Sequence, residues 1–387
     1  MQYRLDKKSG NKLSSLGFGC LRLPASATKA EEVIMDAFKN GVNFFDTAYL
    51  YPGSEAALGK VLHDNKVREK VYIATKLPQI KCNKYDDFDK IFNVQLERLK
   101  TTYIDYYLMH NLSKLSDWEL LCGLGIEKWI EEKKSQGKIR QLGFSFHGTK
   151  DEFSKLVDAC DWDFCMIQYN YINTNYQAGI AGLKYANSKG MPVFVMEPLL
   201  GGRLSDKLPD DAVKVLKQHN KNASPTSWAL RWLWNQPEVT MVLSGMNELA
   251  HVKENVSLAE TKVGSMSEEE LEVIDRVVDI FSESYKIPCT SCNYCLPCPV
   301  KINIPDYFAA YNASFIIGFG AGLAQYATAI GAASKEPVSA SHCTKCGKCV
   351  KVCPQEIAIP DRLEDVRRRM EPLWFRAVIS VVRRFMT

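Results

Sequence analysis

The sequence predicts an α/β protein in which a closed barrel of eight parallel strands is followed by a small, mainly helical domain. Over roughly 280 of the 387 residues, eight short apolar runs alternate with amphipathic segments of helical period. Beyond them, eight of the 13 cysteines fall within residues 289–353. Strand–helix alternation is typical of a parallel sheet with helical crossovers. Eight such units of this total length are expected to close into a (β/α)8 TIM barrel.

The apolar runs give the expected strands, at residues 16–19, 43–47, 71–76, 104–109, 140–145, 164–168, 192–196 and 240–243. The segment EEVIMDAFKNG follows the helical period and ends at Gly41, a residue type that commonly terminates helices. The segment SPTSWALRWLWN begins with Ser224 as an N-cap and Pro225 in the first turn. The residues before the first strand are expected to form a hairpin, with Ser-Gly-Asn as its turn, that closes one end of the barrel.

An open, doubly wound sheet is the alternative arrangement. It would be favoured by a glycine-rich turn that leads from the first strand directly into a helix. Here the turn reads GFGCLRLP and does not lead straight into a helix. The barrel is therefore the favoured prediction.

Composition predicts an ordinary globular protein, with 46% hydrophobic residues and 49 basic against 45 acidic side chains. This near balance gives no indication of nucleic-acid binding. The N-terminal residues contain no apolar leader, so the chain is expected to be cytoplasmic. We predict three regions: a barrel at 1–284, a cysteine-rich domain at 285–360 and a basic amphipathic C-terminal helix at 361–387.

The cysteines form two blocks, Cys289-x2-Cys292-x2-Cys295-x2-Cys298-Pro and Cys343-x2-Cys346-x2-Cys349-x3-Cys353-Pro. Such runs ligate iron–sulfur clusters, and the fourth cysteine usually binds the other cluster in two-cluster ferredoxins. Two [4Fe–4S] clusters are therefore expected in a ferredoxin-like iron–sulfur domain. One would be bound by Cys289, Cys292, Cys295 and Cys353, and the other by Cys298, Cys343, Cys346 and Cys349. Structural zinc is the alternative, but zinc sites typically use separated cysteine pairs.

Between the blocks lie twenty uncharged residues, SFIIGFGAGLAQYATAIGAA. Their length would allow a membrane span. A span would separate two cysteine blocks that are expected to share clusters, so we predict a buried helix that joins the halves of the domain.

Four chemically active side chains lie at or just beyond predicted strand ends, where barrel enzymes place their catalytic groups. They are Asp46 and Tyr51 after the second strand, Lys76 at the end of the third and His110 at the end of the fourth. Each alone is more often structural, and their joint occurrence is what indicates a site.

These segments resemble the aldo-keto reductases. DTAYLYPGSEAALGKVL, ATKLP and LMHNL match that family's catalytic motifs in order, and the resemblance runs from about residue 13 to 257. With two cysteine blocks that are each followed by Ile-Pro, the whole chain resembles a ferredoxin-fused branch of the family. The resemblance implies an oxidoreductase that interconverts a carbonyl, in an aldehyde, ketone or sugar-like substrate, and an alcohol by nicotinamide hydride transfer.

The resemblance also implies roles. Tyr51 would be the general acid, with its ordinary pKa of about 10 lowered by Lys76. Asp46 would hold Lys76, and His110 would donate a hydrogen bond to the carbonyl oxygen. NADH or NADPH would be held by Ser145, His147, Gln168, Leu199, Gly245, Glu254 and Asn255. The chain departs from the family at Phe146, Met196, Gly245 and His251, so NADH is at least as well suited as NADPH.

The clusters would either exchange electrons with an external ferredoxin or another carrier, or serve structure or oxygen sensing. An alternative function is an iron–sulfur electron-transfer protein whose barrel is only a docking scaffold. No nucleic acid is expected as a partner. The basic tail is expected to pack back on the protein, and peripheral membrane contact through it is the less favoured alternative.

Overall fold

The computed structural model describes residues 1–332 and 336–375. Its strands are β1 Tyr3–Leu5, β2 Lys12–Ser14, β3 Leu16–Gly19, β4 Phe44–Asp46, β5 Tyr72–Pro78, β6 Ile104–Leu112, β7 Ile139–Phe146, β8 Phe164–Gln168, β9 Val193–Met196 and β10 Val239–Ser244. Its helices are α1 Ala27–Lys39, α2 Ser54–Asp64, α3 Asp86–Leu99, α4 Leu115–Gly123, α5 Ile126–Ser135, α6 Lys150–Ala159, α7 Gly179–Ser188, α8 Asp210–His219, α9 Pro225–Trp234, α10 Leu249–Leu258, α11 Glu268–Ser284, α12 Ile304–Ile316, α13 Phe319–Ala329 and α14 Ile359–Met370.

The chain divides into two compact units. The barrel unit comprises Met1–Leu200 and Ala223–Leu271, and the C-terminal unit comprises Gly201–Asn222 and the residues from Glu272 onward. The second unit thus takes in a segment that lies between the seventh and eighth barrel strands in sequence. The region boundaries given above remain a prediction.

Strands β3–β10 form a closed barrel in chain order, with β10 pairing back onto β3. All eight pairings are parallel. Each strand covers or overlaps one of the eight predicted runs, so the predicted (β/α)8 barrel is confirmed. It closes because helical crossovers return the chain to the same end after every strand.

Local signals at the helix ends act as predicted. The Ser224 hydroxyl accepts a hydrogen bond from Ser227 N at 3.0 Å, and Pro225 occupies the first turn of α9. Helix α1 ends at Lys39, and Gly41 follows with φ +95°. That left-handed backbone is readily available only to glycine, which is why the chain can turn there toward β4.

The hairpin of β1 and β2 is antiparallel, as expected, and contributes to the barrel interior. Leu13 is fully buried in the cluster of side chains that fills the barrel, which includes Phe44, Phe164 and Phe194. The Tyr106 hydroxyl donates to the Asp6 carboxylate at 2.8 Å. The core is therefore continuous from the hairpin into the barrel.

The C-terminal unit has its own apolar core, in which α12 and α14 pack together. Residues 314–333 do not form the single buried helix that the sequence predicts. The described part of this stretch is the end of α12, a break at Gly318 with φ +126°, and α13. Phe315, Ile317 and Phe319 are exposed. The glycine interrupts the helix because its backbone is left-handed there.

Within the described residues, no helix is both long and apolar enough to cross a membrane. Helix α14 is amphipathic, and its apolar face, Ile359, Leu363, Val366 and Met370, is buried in the C-terminal unit. Helix α14 overlaps the start of the helix predicted over 361–387 but ends at Met370, and residues 371 and 372 are not helical. Residues 376–387 lie outside the described residues.

Candidate functional site

Strand geometry brings three of the predicted catalytic side chains to one end of the barrel. Successive side chains of a strand point to opposite faces, so residues two apart share a face. Phe44, Ala74 and Leu108 lie in the barrel interior. Two residues further along β4, β5 and β6 are Asp46, Lys76 and His110. They are therefore the next inward positions toward the carboxyl ends of the strands.

Lys76 and Asp46 form a buried ion pair. The Lys76 ammonium lies 2.6 and 2.7 Å from the two Asp46 carboxylate oxygens and 2.7 Å from the carbonyl oxygen of Thr47. An ammonium has three donors, and these acceptors take all three. Burial raises the pKa of the Asp46 carboxyl, and the charge and hydrogen bonds of Lys76 oppose this. The three hydrogen bonds hold the Lys76 ammonium in place.

Tyr51 and His110 lie beside this pair. The Lys76 Nζ is 4.9 Å from the centroid of the Tyr51 ring. The Tyr51 and His110 ring centroids are 6.0 Å apart, with the rings nearly perpendicular at 83°. Tyr51 lies in the loop between β4 and α2. The structure thus brings the four predicted catalytic residues together.

The surroundings of His110 favour the neutral form of its imidazole. Burial, the Lys76 charge and His147 lower its pKa well below the usual value of 6.5. Its Nδ1 is buried and has no hydrogen-bond partner among residues 1–332 and 336–375. A neutral imidazole donates one hydrogen bond from one ring nitrogen and accepts with the other.

A buried polar network around Gln95, which was not predicted from the sequence, contacts the backbone of Lys76. The Gln95 amide nitrogen lies 3.0 Å from each of three acceptors, which are Glu55 Oε1, Thr75 Oγ1 and the carbonyl oxygen of Lys76. Tyr107 donates to the Gln95 amide oxygen at 2.8 Å. A signal for this network was present in the sequence. Gln95 falls on the apolar face of α3 with Phe88, Ile91, Phe92 and Leu99, where a polar residue needs partners.

The predicted nicotinamide contacts fall into two places. Ser145 and Gln168 are buried at the carboxyl ends of β7 and β8, and the Ser145 hydroxyl accepts from Asn111 N at 2.8 Å. His147 follows β7, and burial lowers its pKa to about 4. Its Nδ1 has no partner within the described part of the chain. Leu199 is half-buried after β9.

The other three contacts belong to the end of β10 and to α10. Gly245 is exposed, and Glu254 accepts a hydrogen bond from the Ser224 hydroxyl. The buried Asn255 donates from its amide to Ser244 Oγ at 2.9 Å. Asn255 therefore already serves to fix the end of β10.

In the C-terminal unit, the eight clustered cysteines line two cavities. One is lined by Cys289, Cys292, Cys295 and Cys353. The other is lined by Cys298, Cys343, Cys346 and Cys349, with Cys295 also at its edge. We call the first four cysteines the inner group and the second four the outer group.

This donor set fits iron–sulfur clusters better than single ions. Four thiolates on one zinc ion, each about 2.3 Å from it, must converge closely, whereas a cubane spreads them over separate irons. No three His, Cys, Asp or Glu side chains of the described residues are placed to hold a single metal ion. Each group of four cysteines instead surrounds its own cavity.

Two family models match different parts of the chain. The aldo/keto reductase family model matches residues 15–279, and the model of a 4Fe-4S dicluster domain matches residues 288–359. The chain is 28% identical to L-galactose dehydrogenase of Arabidopsis thaliana over 70% of its length and 92% of the relative. It is 29% identical to 6-dehydroglucose reductase of Novosphingobium aromaticivorans over 64% of its length and 86% of the relative.

Among solved structures, the chain is similar to the holo form of aldo-keto reductase AKR11C1 from Bacillus halodurans. The match has a TM-score of 0.61 at 25% identity and covers 72% of this chain and 96% of the other. The protein is an oxidoreductase that belongs to the aldo/keto reductase family and carries a 4Fe-4S dicluster domain after its barrel.

Proposed function

We propose that the barrel interconverts a carbonyl and an alcohol by hydride transfer with NADH or NADPH, and that Asp46, Tyr51, Lys76 and His110 perform the proton chemistry. The observation that supports this most is the buried Asp46–Lys76 pair beside the Tyr51 ring. An ammonium buried next to a phenol at the mouth of a barrel suits a reaction in which an oxygen must gain and lose a proton.

Tyr51 is the proton donor in the reducing direction. When its hydroxyl gives up the proton, the Lys76 charge stabilises the tyrosinate that remains. Asp46 accepts two of the three hydrogen bonds that the Lys76 ammonium can donate, and the carbonyl oxygen of Thr47 accepts the third. Asp46 therefore acts through Lys76 as a positioning residue.

His110 orients the carbonyl. A neutral imidazole donates one hydrogen bond to the substrate oxygen without competing as an acid with Tyr51. A donor of this kind, aimed at an oxygen that becomes negative, typically accelerates a reaction about 10² to 10³-fold. Burial, and after it the nearby Lys76 charge, lower the pKa of His110 and so favour the neutral imidazole at working pH.

A bound nicotinamide would supply the hydride. Ser145 and Gln168 would hold its ring end, and the unpartnered Nδ1 of His147 offers a hydrogen bond to its carboxamide. Leu199 would contact the cofactor beyond β9, and Glu254 with Asn255 would contact its adenine end. The exposed Gly245 offers no charge to a 2′-phosphate, which favours NADH at least as much as NADPH.

The inner and outer groups would hold two [4Fe–4S] clusters, which supply one-electron exchange or stabilise the C-terminal unit. We infer a sugar-like carbonyl as the substrate class, since two relatives are named L-galactose dehydrogenase and 6-dehydroglucose reductase. We place the protein in the cytoplasm because a reducing compartment keeps cluster thiols available.

The test uses anaerobically purified protein and measures oxidation of NADH and of NADPH with a panel of sugar, aliphatic and aromatic aldehydes and ketones. The proposal predicts turnover with at least one carbonyl and transfer of deuterium from deuterated nicotinamide to the alcohol carbon. Absence of nicotinamide binding by calorimetry, together with no turnover, would overturn it.

A second measurement separates the two cluster roles. The clusters are reduced with dithionite, the excess is removed, and NAD or NADP is added. Reoxidation coupled to formation of NADH or NADPH indicates electron exchange with the barrel. Clusters that stay reduced while carbonyls still turn over serve structure or another partner.

A further inference from the structure

The two cysteine groups have different surroundings within the C-terminal unit. In the inner group, Cys289 is buried, and the charge of the buried Arg203 acts on its thiol. A side chain on Gly201 would lie 2.6 Å from the carbonyl oxygen of Thr290, so the backbone before Arg203 packs closely on this group. In the outer group, Cys346 is exposed. The outer group is therefore the one that solvent and partners reach.

Four lysines accompany the outer group. Lys345, Lys348 and Lys351 lie between or just after its cysteines, and Lys301 lies three residues after Cys298. All four are exposed, and Lys348 lines the cavity of the outer group. The stretches 294–303 and 340–353, which carry the outer group, contain no acidic residue. We call these four lysines the lysine ring.

The lysine ring is not neutralised by the protein itself. None of its ammonium groups forms an ion pair with any described residue. The sequence around the inner group has no such concentration, since residues 288–296 and 353–358 contain no basic residue and one acid, Glu356. Exposed positive charge is thus concentrated around the outer group, where it creates a field that attracts anionic partners.

We propose that the surface formed by Cys346 and the lysine ring is the docking site of an acidic one-electron carrier protein. The proposal rests on the proposed clusters alone and not on the reaction of the barrel. In the step, one electron passes from the reduced carrier to the cluster of the outer group. The carrier is oxidised by one electron, the cluster is reduced by one, and no bond or proton moves.

A carrier protein fits this surface better than a membrane does. Val350, at 38% exposure, is the one large apolar residue of 340–353 that ranks among the exposed ones, and membrane-binding surfaces need a broad apolar face beside their cations. Small, charged contact areas are instead typical of transient electron-transfer complexes, in which charge complementarity mainly raises the association rate.

The experiment measures reduction of the anaerobic full-length protein by a reduced acidic flavodoxin in a stopped-flow instrument, at low and at high salt. For the wild type we expect fast reduction that slows steeply with salt, as steered association does. The triple substitution Lys345→Glu, Lys348→Glu, Lys351→Glu is expected to slow it at low salt about tenfold or more and to remove most of the salt dependence. Reduction by dithionite and iron content should not change.

Two further variants separate the effect of the lysine ring from the effects of net charge and of misfolding. The matched control reverses three exposed lysines elsewhere, Lys29, Lys39 and Lys217, and should leave the rate near the wild-type value although the net charge changes equally. The neutral triple substitution of Lys345, Lys348 and Lys351 by alanine is less disruptive to the cysteine loops and should give an intermediate rate.

A second readout does not depend on electron transfer. Binding of oxidised flavodoxin, measured by calorimetry, should weaken in the triple variants and not in the control. Equal rates and affinities in wild type and triple variants would overturn the proposal, as would anionic phosphatidylserine vesicles that bind through the lysine ring while flavodoxin does not bind. Absence of iron from the wild-type protein would instead refute the proposed clusters.

Discussion

The Lys76 ammonium is enclosed by the Asp46 carboxylate, at 2.6 and 2.7 Å from its two oxygens, where the two side chains are 1% and 7% exposed. Such a pair is seldom a source of stability by itself, because both charges lose their hydration. We infer that the buried pair serves to hold a cation at a fixed position. The Tyr51 ring, whose centroid is 4.9 Å from Lys76 Nζ, lies beside that cation.

Asp46→Asn should destabilise the barrel and abolish most activity. The substitution leaves the Lys76 ammonium buried without a countercharge, which typically costs about 3 kcal/mol or more. Urea unfolding followed by near-UV circular dichroism measures the loss. Asp64→Asn, in the exposed pair with Lys60, is the matched control and should change little. Equal stability of Asp46→Asn and wild type would contradict the buried pair.

Gln95→Leu should lower stability by about 1 to 3 kcal/mol, because the buried Glu55 carboxylate and the Lys76 carbonyl lose a donor. Since Gln95 holds the strand that carries Lys76, kcat should also fall while KM changes little. Tyr107→Phe removes a single hydrogen bond to the same amide and should cost about 1 kcal/mol. A leucine variant as stable and active as the wild type would show that the network does not position Lys76.

The barrel should lose stability as the pH falls below about 6.5. In the folded state the pKa of His147 is lowered to about 4 and that of His110 is also lowered. Below about pH 6.5 these histidines therefore bind protons in the unfolded chain but not in the folded one. The free energy of unfolding consequently rises with pH between about pH 4 and 6.5. His147→Gln should reduce the loss between pH 7.5 and 5.5 by about 1 kcal/mol.

The measurement is the free energy of unfolding in urea at both pH values. If His147→Gln and wild type lose equal stability on acidification, the imidazole of His147 is not held neutral by the fold.

Iron content tests the division into inner and outer groups. Cys353→Ala and Cys298→Ala should each remove about half of the iron, since each takes a ligand from one of two clusters. Adding Cys292→Ala to Cys353→Ala should remove no more, whereas combining Cys298→Ala with Cys353→Ala should remove nearly all. Cys160→Ala, outside the cysteine blocks, is the control and should retain full iron. Loss of nearly all the iron when Cys292→Ala is added to Cys353→Ala would instead assign Cys353 to the other cluster.

The barrel could be predicted from the sequence because its strands are continuous apolar runs and its helices carry clear end signals such as Ser224 and Gly41. The meeting of Asp46, Lys76 and His110 also follows from the sequence, since all three stand at strand ends and share the inward face. Parallel strands bring such positions together without any knowledge of loops.

What the sequence could not supply depends on partners distant along the chain. Gln95 gains its role from Glu55 and Thr75, 40 and 20 residues away. The break at Gly318 could not be predicted from the apolar composition of residues 314–333, because hydropathy carries no information on where a helix ends. Likewise, the exposure of Cys346 and of the lysine ring depends on how the two cysteine blocks fold together.

The most direct test of the proposed reaction is a single-turnover measurement of hydride transfer in Tyr51→Phe. The best carbonyl substrate and nicotinamide of the wild type are used at saturating concentration, and cofactor binding is measured in parallel. We predict a rate at least about 10²-fold lower, the usual contribution of a positioned proton donor, with cofactor affinity unchanged. A wild-type rate in Tyr51→Phe would contradict the account, because the Asp46–Lys76 pair would then serve no proton donor.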